Sequence, residues 1–129
     1  MADGTDLRPF NVLGKPLRRV DAFGKVTGDT RFADDFAMPG MLHMKLLRST
    51  VPHARIVSID ATKALAMEGV RAVLTGKDFP VPFGILPVSQ DEHALCLDKV
   101  RFVGDPVVAV VATEELIAEE ATRRVEVRY

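Results

Sequence analysis

Three histidines and a single cysteine are the side chains of this sequence best suited to metal binding or nucleophilic catalysis. His93 and Cys96 are three residues apart, a spacing that places both on one turn of a helix. A zinc site needs three or four ligands in paired spacings, and no second pair lies nearby. A Cys–His pair needs spatial proximity and an orienting third group, with His43, His53 or His93 as the base. The simpler interpretation is that each histidine is hydrogen-bonded within the fold or faces solvent. We therefore predict no catalytic residue and no metal ligand.

Two glycine-containing stretches and two pairs of adjacent acids could also carry chemistry. Residues 24–29 and 75–78 resemble nucleotide-binding loops, but neither has the Gly-x4-Gly-Lys-Ser/Thr order that cradles phosphates. Asp34-Asp35 and Asp91-Glu92 are neighbours in sequence, and neighbours on a strand point to opposite faces. We therefore interpret the glycine stretches as turns and the acidic pairs as solvated surface, and we predict no cofactor-binding residue in this chain.

Length and composition indicate one ordinary globular domain. The chain has 129 residues, of which 47% are hydrophobic and 27% charged, with a net charge of −1. Nothing in this balance favours nucleic acid or a membrane as a partner. One cysteine favours a reducing compartment, and the N-terminus lacks the apolar segment of a signal peptide. These features predict a cytoplasmic protein.

Polarity patterns predict an α+β chain of mixed strands with two main helices. Residues 1–18 have no periodicity and predict a flexible N-terminal arm. The segment 31–36 predicts a short strand or turn. Strands are predicted at 41–49, 54–60, 70–75, 99–104, 107–112 and 125–129.

Two of the predicted strands differ in how deeply they are buried. Residues 41–49 alternate apolar Leu42, Met44 and Leu46 with polar side chains, which predicts a half-buried strand. Residues 107–112 have no polar face at all. We therefore expect this second strand to be covered on both faces and to lie at the centre of the sheet.

Both predicted helices have start signals. Asp60 is expected to cap a helix over 61–68, with Gly69 as its left-handed stop. Thr113 is expected to cap a second helix over 114–124.

The segment 76–98 is long, rich in proline, and predicted to be an ordered loop with little regular structure. Its apolar side chains either cover the edge of the domain's own core, dock on another domain or line a substrate channel. These candidate residues are Phe79, Phe83, Ile85 and Leu86. Further along, Gly104, Asp105 and Pro106 are predicted to form the structural turn that leads into the central strand.

Five motifs occur in an order that carries a family resemblance. They are KVTG, LRS-x-x-PHARI, D-x-x-x-A, GV-x-AVLTG and VRFVGDPVVAVVA. With them, residues 19–129 resemble the N-terminal α/β-hammerhead domain of the xanthine dehydrogenase/aldehyde oxidase family, within the large molybdopterin-binding subunit of these molybdenum hydroxylases. Residues 80–107 look most like the 4-hydroxybenzoyl-CoA reductase α-subunit.

The resemblance implies an oxidoreductase that acts on an aromatic, heterocyclic or aldehyde substrate with molybdopterin-bound molybdenum, iron–sulfur clusters and FAD. In this family the pterin-binding loops and the catalytic glutamate lie downstream of the hammerhead, so no catalytic residue carries over to these positions. The chain is then expected to be a non-catalytic scaffold. Its implied partners are the rest of the molybdopterin-binding subunit and the iron–sulfur and FAD subunits or domains.

The alternating strand at 125–129 ends with the sequence, which we interpret as the N-terminal part of a longer subunit. The alternative is a free-standing binding or assembly subunit that docks on a separately encoded molybdoenzyme chain. A third hypothesis, an independent hydrolase, would use Cys96 with a histidine.

Overall fold

The computed structural model describes residues 11–129, and the chain divides into two compact units. The first, Met1–Met38, contains helix α1 (Ala22–Thr27) and a 3-10 helix (Ala33–Asp35), and none of its described residues is buried. The predicted flexible arm over 1–18 lies outside the described residues for its first ten positions, so the arm stays a prediction.

Helix α1 was not predicted from the sequence. It ends at Gly28, whose φ of +81° is the left-handed conformation that glycine adopts freely. An ion pair between Lys25 and Asp21, at 2.6 Å, joins its last turn to the residue that precedes it. The helix was missed because Gly24 and two β-branched residues weaken the helical pattern.

The second unit, Pro39–Tyr129, contains the strands and the two remaining α-helices. The strands are β1 (His43–Arg48), β2 (Ala54–Arg55), β3 (Ser58–Asp60), β4 (Val70–Thr75), β5 (Lys99–Val100), β6 (Pro106–Ala112) and β7 (Glu126–Arg128). The helices are α2 (Thr62–Leu65) and α3 (Glu115–Thr122). This mixture confirms the predicted α+β class.

Strand β6 is the centre of the fold, as predicted. It pairs antiparallel with β1 on one side and with β4 on the other. Val107, Val108 and Val110 have no solvent exposure and form the core together with side chains from both helices. Fully burying a valine stabilises a fold by about 1.5–3 kcal/mol, so the three buried valines of this strand contribute several kcal/mol to the unit's stability.

Strand β1 is half-buried, but its two faces are used differently from what the alternating pattern suggests. Lys45 lies on the face that α3 covers and forms an ion pair with Glu115 of that helix. Leu42 and Met44, in contrast, are 48% and 57% exposed. Leu46, on the same face as Met44, is half-buried, so the exposure of this face decreases from Met44 to Leu46.

The single strand predicted over 54–60 is wrong, because its two halves pair with different partners. β2 pairs with β5, whereas β3 pairs with β7. Ile56 and Val57 between them donate backbone hydrogen bonds to Asp98 and Arg128 respectively. The change of partner divides the strand, and no local pattern reveals it.

The strand predicted over 99–104 is too long, since β5 ends at Val100. The backbone amide of Arg101 donates to the carboxylate of Asp105, at 2.8 Å, and so turns away from a sheet ladder.

Both predicted helices are shorter in the structure. Ala61, and not the predicted Asp60, occupies the N-cap position of α2, although Asp60 accepts a hydrogen bond from the Thr62 amide at 2.9 Å. The helix ends at Leu65, well before Gly69. The predicted cap at Thr113 is wrong. Its backbone amide donates to Gly69, at 2.9 Å, and Glu114 occupies the N-cap position without a side-chain bond.

Candidate functional site

The loop predicted over 76–98 and the turn predicted at Gly104, Asp105 and Pro106 border the same cavity, which has a volume of about 560 Å³. Phe83 contributes one wall, and Phe102, Asp105 and Pro106 contribute another. The rest of the lining is Asp91, Glu92, His93, Ala94, Cys96 and Arg101. This pocket is our candidate functional site, because it brings together Asp91, Glu92, His93 and Cys96, four of the side chains that the sequence singles out for possible chemistry.

The wall nearest the surface is a narrow β-hairpin over residues 83–92, where little regular structure was expected. Phe83 donates to the Glu92 carbonyl at 2.8 Å, and Glu92 donates back to the Phe83 carbonyl at 3.0 Å. A second bridge joins Leu86 to Ser89 around a turn that contains Pro87. These bonds give the apolar segment a defined shape.

Gly84 allows the two arms of this hairpin to approach each other closely. A Cβ atom at this position would lie 2.3 Å from the backbone oxygen of Ser89. Real side chains do not come so close to backbone atoms. The hairpin in this form therefore depends on a residue without a side chain.

The apolar side chains of the hairpin and of the segment before it point largely into solvent. Phe79, Phe83 and Leu86 are about half exposed, and Ile85 is 94% exposed. Val88, which was not among the predicted contact residues, is 92% exposed. These side chains therefore do not bury themselves in this domain's own core, which was one of the open interpretations.

The inner wall of the pocket is the turn at Gly104, Asp105 and Pro106. Gly104 has a φ of +95°, a conformation that favours glycine, and donates to the carbonyl of Ser49 at 2.8 Å. The amide of Ser49 donates in turn to the Asp105 carbonyl at 2.9 Å. Pro106 then opens strand β6, and its carbonyl accepts a bond from the Cys96 amide at 2.8 Å.

Cys96 lies under the pocket in a form unsuited to nucleophilic attack. Burial raises the pKa of its thiol to about 12, and its hydrogen bond to the Asp105 carboxylate acts in the same direction. A thiol with this pKa carries almost no thiolate at neutral pH. The arrangement therefore disfavours a hydrolase that uses Cys96.

The histidines lie in different parts of the second unit. His43 begins β1, His53 is exposed in the turn before β2, and only His93 borders the pocket. Between residues 11 and 129, no three His, Cys, Asp or Glu side chains are grouped closely enough to hold a metal ion.

Charged groups line the pocket together with the aromatic rings. The Ser89 hydroxyl donates to Asp91 at 2.5 Å and lowers the pKa of that carboxyl, and the positive charge of Arg101 contributes further. The pocket thus offers aromatic surface, a guanidinium and carboxylates.

The helices of the described part of the chain are all too short or too polar to traverse a bilayer.

Comparison with known proteins gives a match over most of the chain. Residues 27–129 match the family model described as the aldehyde oxidase and xanthine dehydrogenase a/b hammerhead domain. The match begins inside the range 19–129 that the motifs indicate.

Two curated relatives illustrate the similarity. A probable xanthine dehydrogenase subunit of Bacillus subtilis is 50% identical over 121 residues, covering 92% of this chain and 16% of the relative. The nicotinate dehydrogenase large molybdopterin subunit of Eubacterium barkeri is 43% identical, covering 95% of this chain and 29% of the relative.

Solved structures show the same fold. A reconstituted CO dehydrogenase from Oligotropha carboxidovorans superposes with a TM-score of 0.79 at 36% identity, over 90% of this chain and 15% of that one. Quinoline 2-oxidoreductase from Pseudomonas putida gives a TM-score of 0.75 at 37% identity, over 88% and 15%. The chain thus spans less than a third of the length of each of these four proteins.

Proposed function

The chain belongs to the aldehyde oxidase and xanthine dehydrogenase family as its hammerhead domain, and from this premise we propose that it frames a molybdenum-containing oxidoreductase. The names of the relatives support molybdenum, since one is a molybdopterin subunit and one solved structure is a Cu,Mo-CO dehydrogenase. The substrate class would be an aromatic, heterocyclic or aldehyde compound. The finer likeness to 4-hydroxybenzoyl-CoA reductase stays a prediction.

The described residues offer no donor cluster for a metal, so we assign no molybdenum ligand and no chemical step to them. We propose that molybdopterin is held elsewhere in the enzyme, and that iron–sulfur and FAD subunits or domains complete it. When bound, the molybdenum cofactor would supply the oxidation or reduction of a substrate carbon. In this proposal the domain contacts the other parts of the enzyme and holds them in position. The enzyme lies in the cytoplasm.

The observation that carries the proposal is the apolar hairpin over residues 83–92. Exposed apolar clusters on a globular domain mark contact sites, because water contact with such surface is unfavourable. Ile85 and Val88 project almost completely into solvent, while backbone bonds at Phe83 fix the base of the hairpin. A pre-shaped contact of this kind loses little conformational entropy on docking.

We propose that this hairpin docks on the molybdopterin-binding part of the enzyme, beside the substrate entrance. The pocket behind it would then form part of the entrance wall, with Phe102 and Arg101 facing incoming substrate. Aromatic and cationic side chains suit planar, partly anionic substrates, which fits the substrate class proposed above.

The test is to change the hairpin in the complete enzyme. Ile85→Ala and Phe83→Ala should weaken subunit assembly or raise KM, because both remove apolar contact without touching the core. Leu116→Ala is the matched control, since Leu116 is an exposed apolar residue on α3. If assembly and KM are the same in all three variants as in the parent, the hairpin has no such role.

The alternative, a free-standing assembly subunit, predicts a different polypeptide size. An immunoblot of source-cell extract under denaturing conditions separates the two. A band near 14.1 kDa favours the separate subunit, and a band several-fold larger favours the domain of a long subunit.

A further inference from the structure

The pocket wall at Arg101 begins where strand β5 stops. In the ladder between β2 and β5, Val100 lies opposite Ala54. One further pair in the same register would place Arg101 opposite His53. The backbone amide of Arg101 donates instead to the Asp105 carboxylate, at 2.8 Å. Side chains that bond nearby backbone groups compete with strand ladders in this way, so Asp105 directs the chain out of the sheet at this residue.

Asp105 is itself held in place by the body of the fold. It is buried, and its carbonyl accepts the Ser49 amide at 2.9 Å. Its own amide donates to the Phe102 carbonyl at 3.2 Å. The Cys96 thiol is a second side-chain donor to the same carboxylate. The position of the carboxylate is therefore set by the sheet and is passed on to the segment 101–104.

This turn places the Arg101 side chain where it can meet a ligand. The positive charge of Arg101 lowers the pKa of Asp91 on the hairpin and opposes the rise in the pKa of Cys96 beneath the pocket. The guanidinium therefore lies within electrostatic reach of both sides of the pocket. With residues 11–129 it forms no hydrogen bond or ion pair, so its donors are available to a molecule in the cavity.

We propose that Asp105 is a positioning residue, which keeps Arg101 and Phe102 in the pocket wall by accepting the Arg101 amide in place of a strand partner. The inference rests on the proposed function, in which Arg101 and Phe102 face incoming substrate. An arginine side chain has many rotatable bonds, so a fixed backbone at its base reduces the freedom that it loses when it binds a ligand. The ligand class is a planar aromatic carboxylate, with its ring against Phe102 and its carboxylate on Arg101.

The test measures the affinity of the complete enzyme for 4-fluorobenzoate by equilibrium dialysis. Arg101→Met should weaken binding at least about tenfold, because it removes a charge-assisted contact with the carboxylate. Asp105→Leu, which is similar in size but has no acceptor, should weaken binding by a similar factor. The double variant should bind no more weakly than Arg101→Met alone, because Asp105 acts through Arg101. A residue with a purely structural role would add a separate loss.

Asp105→Asn is the matched control. Its side-chain oxygen still accepts the Arg101 amide, so its affinity should stay within about threefold of the parent enzyme. Melting temperatures of all variants are measured on the same samples, and Asp105→Ala replaces Asp105→Leu if the latter does not fold. A loss in Asp105→Asn as large as that in Arg101→Met would overturn the inference.

The remaining outcomes separate the inference from the proposed function. Additive losses in the double variant, or parental affinity in Asp105→Leu, would overturn the inference and leave the role of Arg101 in place. Parental affinity in Arg101→Met, or no binding by the parent enzyme, would reject that role within the proposed function, and the inference with it.

Discussion

Strand β6 and the 83–92 hairpin are both apolar, yet they have opposite relations to solvent. β6 has a hydrogen-bonded strand on each side, and most of its side chains are buried. The hairpin is bonded through its own backbone between Phe83 and Glu92, and it presents Ile85 and Val88 to water. Composition therefore does not separate core from contact surface. The number of neighbouring elements separates them instead. β6 has a strand on either side as well as helices packed against it.

The largest expected effect comes from introducing a charge into each of the two regions, the buried strand and the exposed hairpin. Val110→Asp should unfold the second unit, because a carboxylate without partners in the core costs several kcal/mol, about the stability of a small domain. Val88→Asp, at the exposed tip of the hairpin, should change stability by less than about 0.5 kcal/mol. Circular dichroism and urea unfolding measure both. Similar losses of unfolding free energy in the two variants would contradict the distinction between the buried strand and the exposed hairpin.

Next in size is the effect of a methyl group inside the hairpin. Gly84→Ala should open it, because the new Cβ would lie 2.3 Å from the Ser89 oxygen. Hydrogen exchange at the Phe83 and Glu92 amides should accelerate, while the global free energy of unfolding falls by less than about 1 kcal/mol. Unchanged exchange at these two amides would show that the hairpin tolerates the side chain.

A smaller effect is expected from pH. The folded protein raises the pKa of Cys96 to about 12, so the unfolded chain loses this proton first. The stabilisation from this proton is complete below the pKa of the unfolded thiol, about 8.5. It is lost as the pH rises towards the folded pKa of about 12. Cys96→Ser removes the titrating group, so its unfolding free energy should depend less on pH in that range. Parallel pH profiles for the two proteins would contradict the assignment.

The smallest effect is expected at the surface of α3. Arg123 pairs with Glu119 at 2.6 Å, and both side chains are exposed. Glu119→Gln should lower stability by about 0.5 kcal/mol or less, and added salt should remove the difference. Urea unfolding at low and high salt checks this. A loss that persists at high salt would mean that Glu119 has a further structural role.

The sequence was informative where burial itself leaves a pattern. The uninterrupted apolar run of β6 identified the central strand, and the ordered motifs identified the family that the matched region confirms. β4 was predicted with its bounds at 70 and 75, as the strand that follows the first helix, and the structure confirms both bounds.

What the sequence did not reveal depends on contacts between distant residues. The exchange of partners at Ile56 and Val57 is decided by Asp98 and Arg128, which lie far along the chain. The 83–92 hairpin has no Asn-Gly or Asp-Gly turn signal, and its Gly84 acts through contact with the opposite arm. The pocket likewise depends on a turn that returns Asp105 to Cys96.

Ser49 has a consequence for how the molecule opens. Its carbonyl accepts from Gly104 and its amide donates to Asp105, so the end of β1 and the inner wall of the pocket are bonded in both directions. The amide of Cys96 is attached to the same turn through Pro106. We therefore expect the inner wall of the pocket to unfold together with the end of β1. In the language of folding, the pocket wall and the sheet edge are one cooperative unit, and the hairpin is the part that can open alone.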